Sequence, residues 1–413
     1  METFLSRSLV LGGGWARSGA FMRTSCVATR RFSRENSVFR CSGLSCSAFS
    51  RRGSGANTRL PSGVRSQNSL SLIFGSGTAS QGFFSESRHI QTRLCFTSTG
   101  LKSRSEIRCQ IDDKEDPVVS TEWLAERLSD VCILDVRGHV DSYLVEEGVE
   151  KSEYKADYDE YLEGHIPGAV FFSWVKDGLD PQASSRLQLM EDVNDFAPVM
   201  EAKGVSTEKP VVIYDRGDGL LAPRIWWALV LHGHPCVRIL NGGLKKWVDE
   251  ERPLELYEPC TLKVYADYTP KKLYPSLVAS WEDVLSSVSG MNAEKESPEE
   301  KTAIVDARDN AQYQGHIRRS KLGGRIPGAI NIPRRSLVRP DGTFEPVDVQ
   351  RQVLKEAGLD PEIPTKLIAY CNGGVASCTV LLAWHRVSGK GTWANYDGSW
   401  NEWGNRDDLP VDM

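Results

Sequence analysis

With 413 residues, 40% of them hydrophobic and 25% charged, the chain is long enough for two or three domains of ordinary soluble composition. Its longest apolar run, residues 225–231, is core-sized and far short of the roughly 20 apolar residues that a bilayer-spanning helix needs. The net charge of −5 is unevenly spread: residues 1–108 carry 15 Arg and one Lys against four Glu and no Asp, near +12, which leaves the remainder near −17 and argues against a nucleic-acid or membrane partner.

Residues 1–108 are Arg-rich, Ser-rich and almost free of acid, the composition of an organellar transit peptide. Such a chain buries too little apolar surface to offset its conformational entropy, so a disordered presequence is expected. A secretory signal fits less well, because no compact apolar core runs into a small-residue cleavage site. Ile107-Arg108-Cys109 is similar to the cleavage context of chloroplast precursors, which points to a plastid, with the mitochondrion as the alternative. Four of the ten cysteines lie in this stretch, and no CxxC pair or regular spacing exists anywhere. The remaining thiols are therefore expected to be reduced, with neither a metal-ligand nor a disulfide pattern.

Beyond the presequence the elements appear twice. In the first copy, set at residues 116–255, Ser120-Thr121-Glu122-Trp123 reads as an N-cap opening a helix. Strands are predicted at 133–136, 169–172, 211–214 and 237–240, short β-branched runs separated by helical stretches. Residues 256–276, with Pro259, Pro270 and Pro275, form a connector. In the second copy, residues 277–410, Ala279-Ser280-Trp281-Glu282 again opens a helix and 289–301 reads as a polar surface loop. Strands follow at 304–307, 329–332, 367–370 and 392–396. Sliding the chain against itself by 156 residues brings Tyr214-Asp215 onto Tyr370-Cys371, and Asn241-Gly242 and Trp247 onto Asp397-Gly398 and Trp403. Upstream, Asp135-Val136-Arg137 matches Asp306-Ala307-Arg308, and Gly164-His165-Ile166-Pro167-Gly168-Ala169 matches Gly324-Arg325-Ile326-Pro327-Gly328-Ala329. Repeated strand–helix alternation predicts an α/β fold with buried parallel sheets.

The second copy sets a thiol where a strand turns into a helix, in Tyr370-Cys371-Asn372-Gly373-Gly374-Val375-Ala376-Ser377; the first copy has Asp215 there. Two successive glycines let the backbone curl so that several N–H groups face one point, and a helix predicted at 376–387 adds its positive end. Such surroundings stabilise an anion and favour the thiolate, the nucleophilic form of cysteine. A packed structural cysteine beside a glycine turn is the competing reading of this peptide taken alone.

Taken together, the duplicated Asp-x-Arg, Gly-x-Ile-Pro-Gly-Ala and closing Gly-x-x-x-x-Trp segments, with a strand-end Cys-x-x-Gly-Val-x loop, resemble the tandem rhodaneses. The resemblance covers residues 118–409. It implies two domains, each a mostly parallel five-stranded sheet with helices on both faces, the first inactive because Asp215 stands at the nucleophile position. It implies a sulfurtransferase in which Cys371 takes sulfur from a donor such as thiosulfate, forming a persulfide, and gives it to cyanide or a thiol. The loop from Asn372, Gly373 and Gly374 through Val375, Ala376 and Ser377 would hold that anion, with no metal or organic cofactor. A thiol reductant such as thioredoxin is an implied partner.

Substrate choice transfers less cleanly. Thiosulfate-preferring members carry cationic side chains at the second and third loop positions, here Asn372 and Gly373. Members that prefer 3-mercaptopyruvate have a hydroxyl at the third position, which is absent, and the sixth residue is Ala376 where Thr is usual. Anion binding is therefore expected from outside the loop: Arg308, Arg318, Arg319 and Arg325 are candidates, Arg319 and Arg325 foremost as substrate contacts, whereas Asp306 and Arg308 are expected to fix their own turn. Cys378 reads as a core thiol, His165 as part of a structural turn, and Trp226, Trp227, Trp384 and Trp400 as core or interface aromatics. Two further readings are a 3-mercaptopyruvate sulfurtransferase and a non-enzymatic persulfide relay. Phosphatases and arsenate reductases of the same fold need a longer Cys-x5-Arg loop, and position 377 is Ser.

Overall fold

A computed structural model of the chain describes residues 116–183, 187–257, 266–288, 301–388 and 392–413. The expected presequence at 1–108 and nearly all of the expected surface loop lie outside these residues, as does the middle of the connector.

Among the described residues, seven strands belong to the first copy: β1 Val118–Val119, β2 Cys132–Asp135, β3 Gly138–Glu146, β4 Val149–Ala156, β5 Ala169–Phe171, β6 Val211–Tyr214 and β7 Val237–Leu240. Five belong to the second: β8 Val278–Ala279, β9 Lys301–Asp306, β10 Ile330–Asn331, β11 Thr365–Tyr370 and β12 Thr392–Tyr396. The sheet orders are β1-β7-β6-β2-β5 and β8-β12-β11-β9-β10, every pairing parallel. With the β3–β4 pair set aside, the two orders are the same, as a duplication requires. The central strands β2 and β6 are buried along their whole length, which is why they read as continuous apolar runs rather than alternating ones.

The outermost strands β1 and β8 are two residues each and escape a periodicity reading, because two residues show no period. Each leads into a short helix. Ser120 Oγ accepts the N–H of Trp123 at 3.2 Å, and Ser280 and Asp283 exchange reciprocal bonds across the start of the helix Trp281–Val288.

The antiparallel hairpin β3–β4 was not foreseen. It turns through Glu147 and Gly148, with Gly148 at φ 70° and a register shift between Leu144 and Glu146. Its two strands, GHVDSYLVE and VEKSEYKA, are rich in charged and polar residues and show no regular polar–apolar alternation, so no period-2 pattern marks them in the sequence.

The two copies share one apolar core. The helices Ala222–Leu231 and Ser377–Val387 are almost wholly buried within it, and Trp226 of the first stacks on Trp393 of β12 with ring centroids 5.4 Å apart. A separate apolar cluster backs each sheet on its other face. Trp226, Trp227, Trp384 and Trp400 are all buried, as core aromatics. The described end of the connector returns to the first copy, where Tyr268 meets the ring of Phe196 and donates to the His232 carbonyl.

One expectation about thiols is corrected: Cys236 is disulfide-bonded, whereas Cys132, Cys371 and Cys378 are free. Sequence spacing carries no record of which thiols the fold brings together. Among the described residues no helix is long and apolar enough to cross a membrane.

Candidate active site

Strand β11 ends at Tyr370, and the chain turns at Cys371 toward the helix beginning at Ser377. Gly374 sits at φ 72°, a region that a side chain disfavours, and a Cβ there would lie 2.2 Å from Asp397 Oδ1. This position therefore needs glycine for both its backbone and its space.

The loop is pinned from below by Ser399. Its hydroxyl accepts the N–H of Cys371 at 3.2 Å and of Gly374 at 2.9 Å, and donates to the Tyr396 carbonyl at 2.7 Å. The carbonyls of Cys371 and Asn372 are taken by the N–H groups of Trp400 and Asn401, at 3.1 and 2.8 Å. The expectation that the whole run of loop N–H groups turns to one point is therefore narrowed, because the Gly374 N–H is already engaged with Ser399.

In the first copy the equivalent loop turns its N–H groups on a side chain of its own. The Asp215 carboxylate accepts N–H groups from Gly217 at 2.9 Å and from Leu221 and Ala222 at 3.1 Å each. Burial and nearby Asp218 push its pKa up, and these three amides oppose that. The first copy fills its own anion cradle with a carboxylate. The second puts a thiol at the equivalent point.

Cys371 is only 4% exposed, yet it lines a cavity of about 610 Å³ between the copies. From the second copy come the loop residues Asn372, Gly373, Val375 and Ala376; the hairpin β3–β4 of the first supplies His139, Val140, Ser142, Glu150 and Tyr154. Gly374 and Ser377 are buried and do not line it. The site is thus built by both copies.

Most of the cationic side chains on the cavity wall are already paired. Arg216 bonds Asp157 and Glu160, and Arg334 bonds Asp218. Arg308 also lines the cavity, but it bonds Asp306 and the Gly324 carbonyl and lies over the Trp400 ring at 4.4 Å. Arg137 repeats this arrangement with Asp135 and Gly164 in the copy without a thiol, the turn-fixing role expected of the motif.

Arg319 reaches the cavity, where it pairs with Glu150 and donates to Ser142 Oγ at 3.0 Å. Arg325 does not reach it. That guanidinium lies over the Tyr313 ring at 4.7 Å, so its expected contact with substrate is corrected to packing against its own turn. Arg318 pairs with Glu146 outside the cavity. Arg335 is exposed on the cavity wall and has no ion-pair partner among the described residues.

Several residues here carry no motif. Gln312 is buried beside the loop and accepts from Asn372 Nδ2 at 2.8 Å. Asn372 Oδ1 is buried without a partner. Glu150, Gln312, Ser399 and Arg335 reach the site through the fold, and only Ser399 stood in a repeated block. Cys378 is fully buried, with its thiol against the Gly374 carbonyl at 3.3 Å and its pKa pushed up by burial to about 12, a core thiol. His165 is buried and stacks on Tyr161, away from the cavity. Among the described residues no three or more His, Cys, Asp or Glu side chains cluster so as to hold a metal ion.

Both copies resemble known proteins. Residues 120–250 and 291–406 each match the Rhodanese-like domain. The chain is 33% identical over 299 residues to the 3-mercaptopyruvate sulfurtransferase of Escherichia coli K12, covering 71% of this chain and 97% of that protein. It is 32% identical over 301 residues to the thiosulfate sulfurtransferase of Gallus gallus, covering 70% and 93%. The crystal structure of the Escherichia coli enzyme SseA, a 3-mercaptopyruvate sulfurtransferase, superposes with a TM-score of 0.53 at 29% identity, over 69% of this chain and 99% of that one.

Proposed function

The chain belongs to the rhodanese family and is a sulfurtransferase, and on that premise we propose that Cys371 carries sulfur from thiosulfate or a related donor to cyanide or a thiol. The Cys371 thiolate attacks the outer sulfur of thiosulfate. A new S–S bond forms as the old one breaks, sulfite leaves with the bonding pair, and Cys371 is left as a persulfide anion. Cyanide then attacks the terminal sulfur, giving thiocyanate and the original thiolate. Loop N–H groups other than that of Gly374, with the positive end of the helix Ser377–Val387, stabilise the persulfide without reorganising.

The observation that carries this reading is Asp215. Its carboxylate, held by three backbone N–H groups, stands where the persulfide would stand in the second copy. Arg335, and Arg319 once it parts from Glu150, are the cations proposed to meet an anionic donor on the cavity wall.

3-Mercaptopyruvate is the second donor to consider, because positions 372 and 373 lack cationic side chains and one relative bears that activity in its name. There the thiolate would take the donor's sulfur, and the proton of the donor thiol would end on carbon as pyruvate is released. The test is purified protein with each donor and cyanide: thiocyanate should form and vanish in Cys371→Ser. Full activity in that variant would refute the assignment, a strong preference for mercaptopyruvate would reverse the order of donors, and persulfide on Cys371 without turnover would indicate a relay.

The basic segment 1–108 is proposed as a transit peptide to the plastid, or alternatively to the mitochondrion, on its composition alone. Import of a fluorescent fusion into isolated organelles tests it. Thioredoxin is proposed as a reducing acceptor of the persulfide sulfur, to be tested by sulfide release from the loaded protein.

A further inference from the structure

Arg224 belongs to the helix Ala222–Leu231 of the copy that has no nucleophile, and it is 2% exposed. Its guanidinium crosses to the catalytic copy. Nη1 donates to the Gly374 carbonyl at 3.0 Å and bonds Asp397 Oδ1, while Nη2 donates to Asp397 Oδ2 at 3.0 Å and to the Leu187 carbonyl at 2.8 Å. It does not line the cavity. Its face is packed on Trp227, 4.8 Å from the ring centroid, so the planar fork has little freedom to turn.

The Gly374 carbonyl receives two more donors, Asn395 Nδ2 at 3.0 Å and the Cys378 thiol at 3.3 Å. A carbonyl oxygen has two lone pairs, so three donors on the interface side leave it no capacity to turn toward the cavity. The peptide that carries this oxygen also carries the N–H of Val375, and in a planar trans peptide the two point in opposite directions. The Val375 N–H finds no acceptor among the described residues, and Val375 lines the cavity with Cys371. Fixing the oxygen downward thus fixes a free donor upward.

We propose that Arg224 is a positioning residue for sulfur transfer: by holding the Gly374 carbonyl against the domain interface, it aims the Val375 N–H at the sulfur of Cys371. The copy without a nucleophile then orients part of the anion cradle as well as supplying a wall of the cavity. This role rests on the assignment of Cys371 as the sulfur carrier.

The test uses the full chain and the rate at which iodoacetamide alkylates Cys371, resolved by peptide mass spectrometry across pH. In Arg224→Met the profile should move to higher pH by about one unit, an approximately tenfold loss of thiolate on its acid side. Arg224→Lys, whose ammonium can still donate to Gly374, should move it less. Arg224→Met combined with Asp397→Asn leaves no unpaired buried charge and serves where the single variant does not fold. A wild-type profile in either folded protein overturns the proposal, since a purely structural role would change melting temperature alone. A measurement without substitution decides independently: in protein labelled with 15N-valine, the Val375 amide proton should move downfield as Cys371 ionises, and an unmoved resonance overturns the inference. Turnover surviving in Cys371→Ser would instead defeat the sulfur-carrier assignment, so the two failures are distinguishable.

Discussion

Ser399 and Gly243 hold the same place in the two copies, 156 residues apart, with φ of 51° and 53°. Left-handed backbone is natural for glycine and costs roughly 1 kcal/mol or more for a residue with a Cβ. The second copy nevertheless places serine there, and its hydroxyl ties the N–H groups of Cys371 and Gly374 to the Tyr396 carbonyl. The strain is confined to the copy that has the thiol, where it sets the Ser399 hydroxyl under the Cys371 loop.

Ser399→Gly should therefore separate stability from activity. Relief of strain and loss of the hydroxyl bonds are each worth about 1 kcal/mol and oppose one another, so urea stability should change little while turnover falls about tenfold. Ser399→Ala keeps the strain and loses the bonds, and should be less stable by about 1 kcal/mol. Equal turnover in Ser399→Gly and the unsubstituted protein would show that the hydroxyl does not set the loop.

Gly374→Ala places a methyl group 2.2 Å from Asp397 Oδ1 and 2.8 Å from the Asp397 carbonyl, at a φ of 72°. The neighbouring atoms are backbone and a buried ion pair, so neither yields cheaply. A loss of roughly 2–4 kcal/mol in urea unfolding is expected. Thiocyanate formation should drop at least about tenfold, through displacement of the loop.

Glu150→Gln removes the carboxylate that neutralises Arg319 on the cavity wall. Thiosulfate should then bind more tightly, with KM lowered about threefold to tenfold at low salt and kcat changed less than about twofold. Adding Arg319→Met should cancel the gain. An unchanged KM in the single variant would remove Arg319 from donor recognition.

His234 predicts an acid-sensitive window. Its Nε2 donates to the Ser206 carbonyl at 3.0 Å and its Nδ1 accepts the Cys236 N–H at 3.1 Å, which fixes the neutral ring, and burial lowers its pKa to about 4. The unfolded chain takes up the proton near pH 6.5 and the folded chain only near pH 4. The stabilisation is complete above the upper value and is lost as pH falls through the interval, by roughly 3 kcal/mol. Buried His232 is shifted in the same direction by burial and adds to the loss. Urea midpoints at pH 7.5, 6 and 4.5 should fall in order, and His234→Gln should flatten the trend.

The duplicated fold and the candidate nucleophile were legible in the chain because both are local. Short apolar runs announce buried parallel strands, and a thiol between such a strand and two glycines announces a helix-capped loop, wherever the rest of the chain goes. The hairpin β3–β4, the Glu150 partner of Arg319, and the crossing of Arg224 to Gly374 were not legible. Residues 150 and 319, or 224 and 374, meet only because two sheets of the same order pack helix to helix across one core, and no local spacing encodes that meeting. Sequence alone singled out the thiol proposed to hold sulfur; tertiary packing decided which charged side chains share its cavity and which loop amides are already engaged.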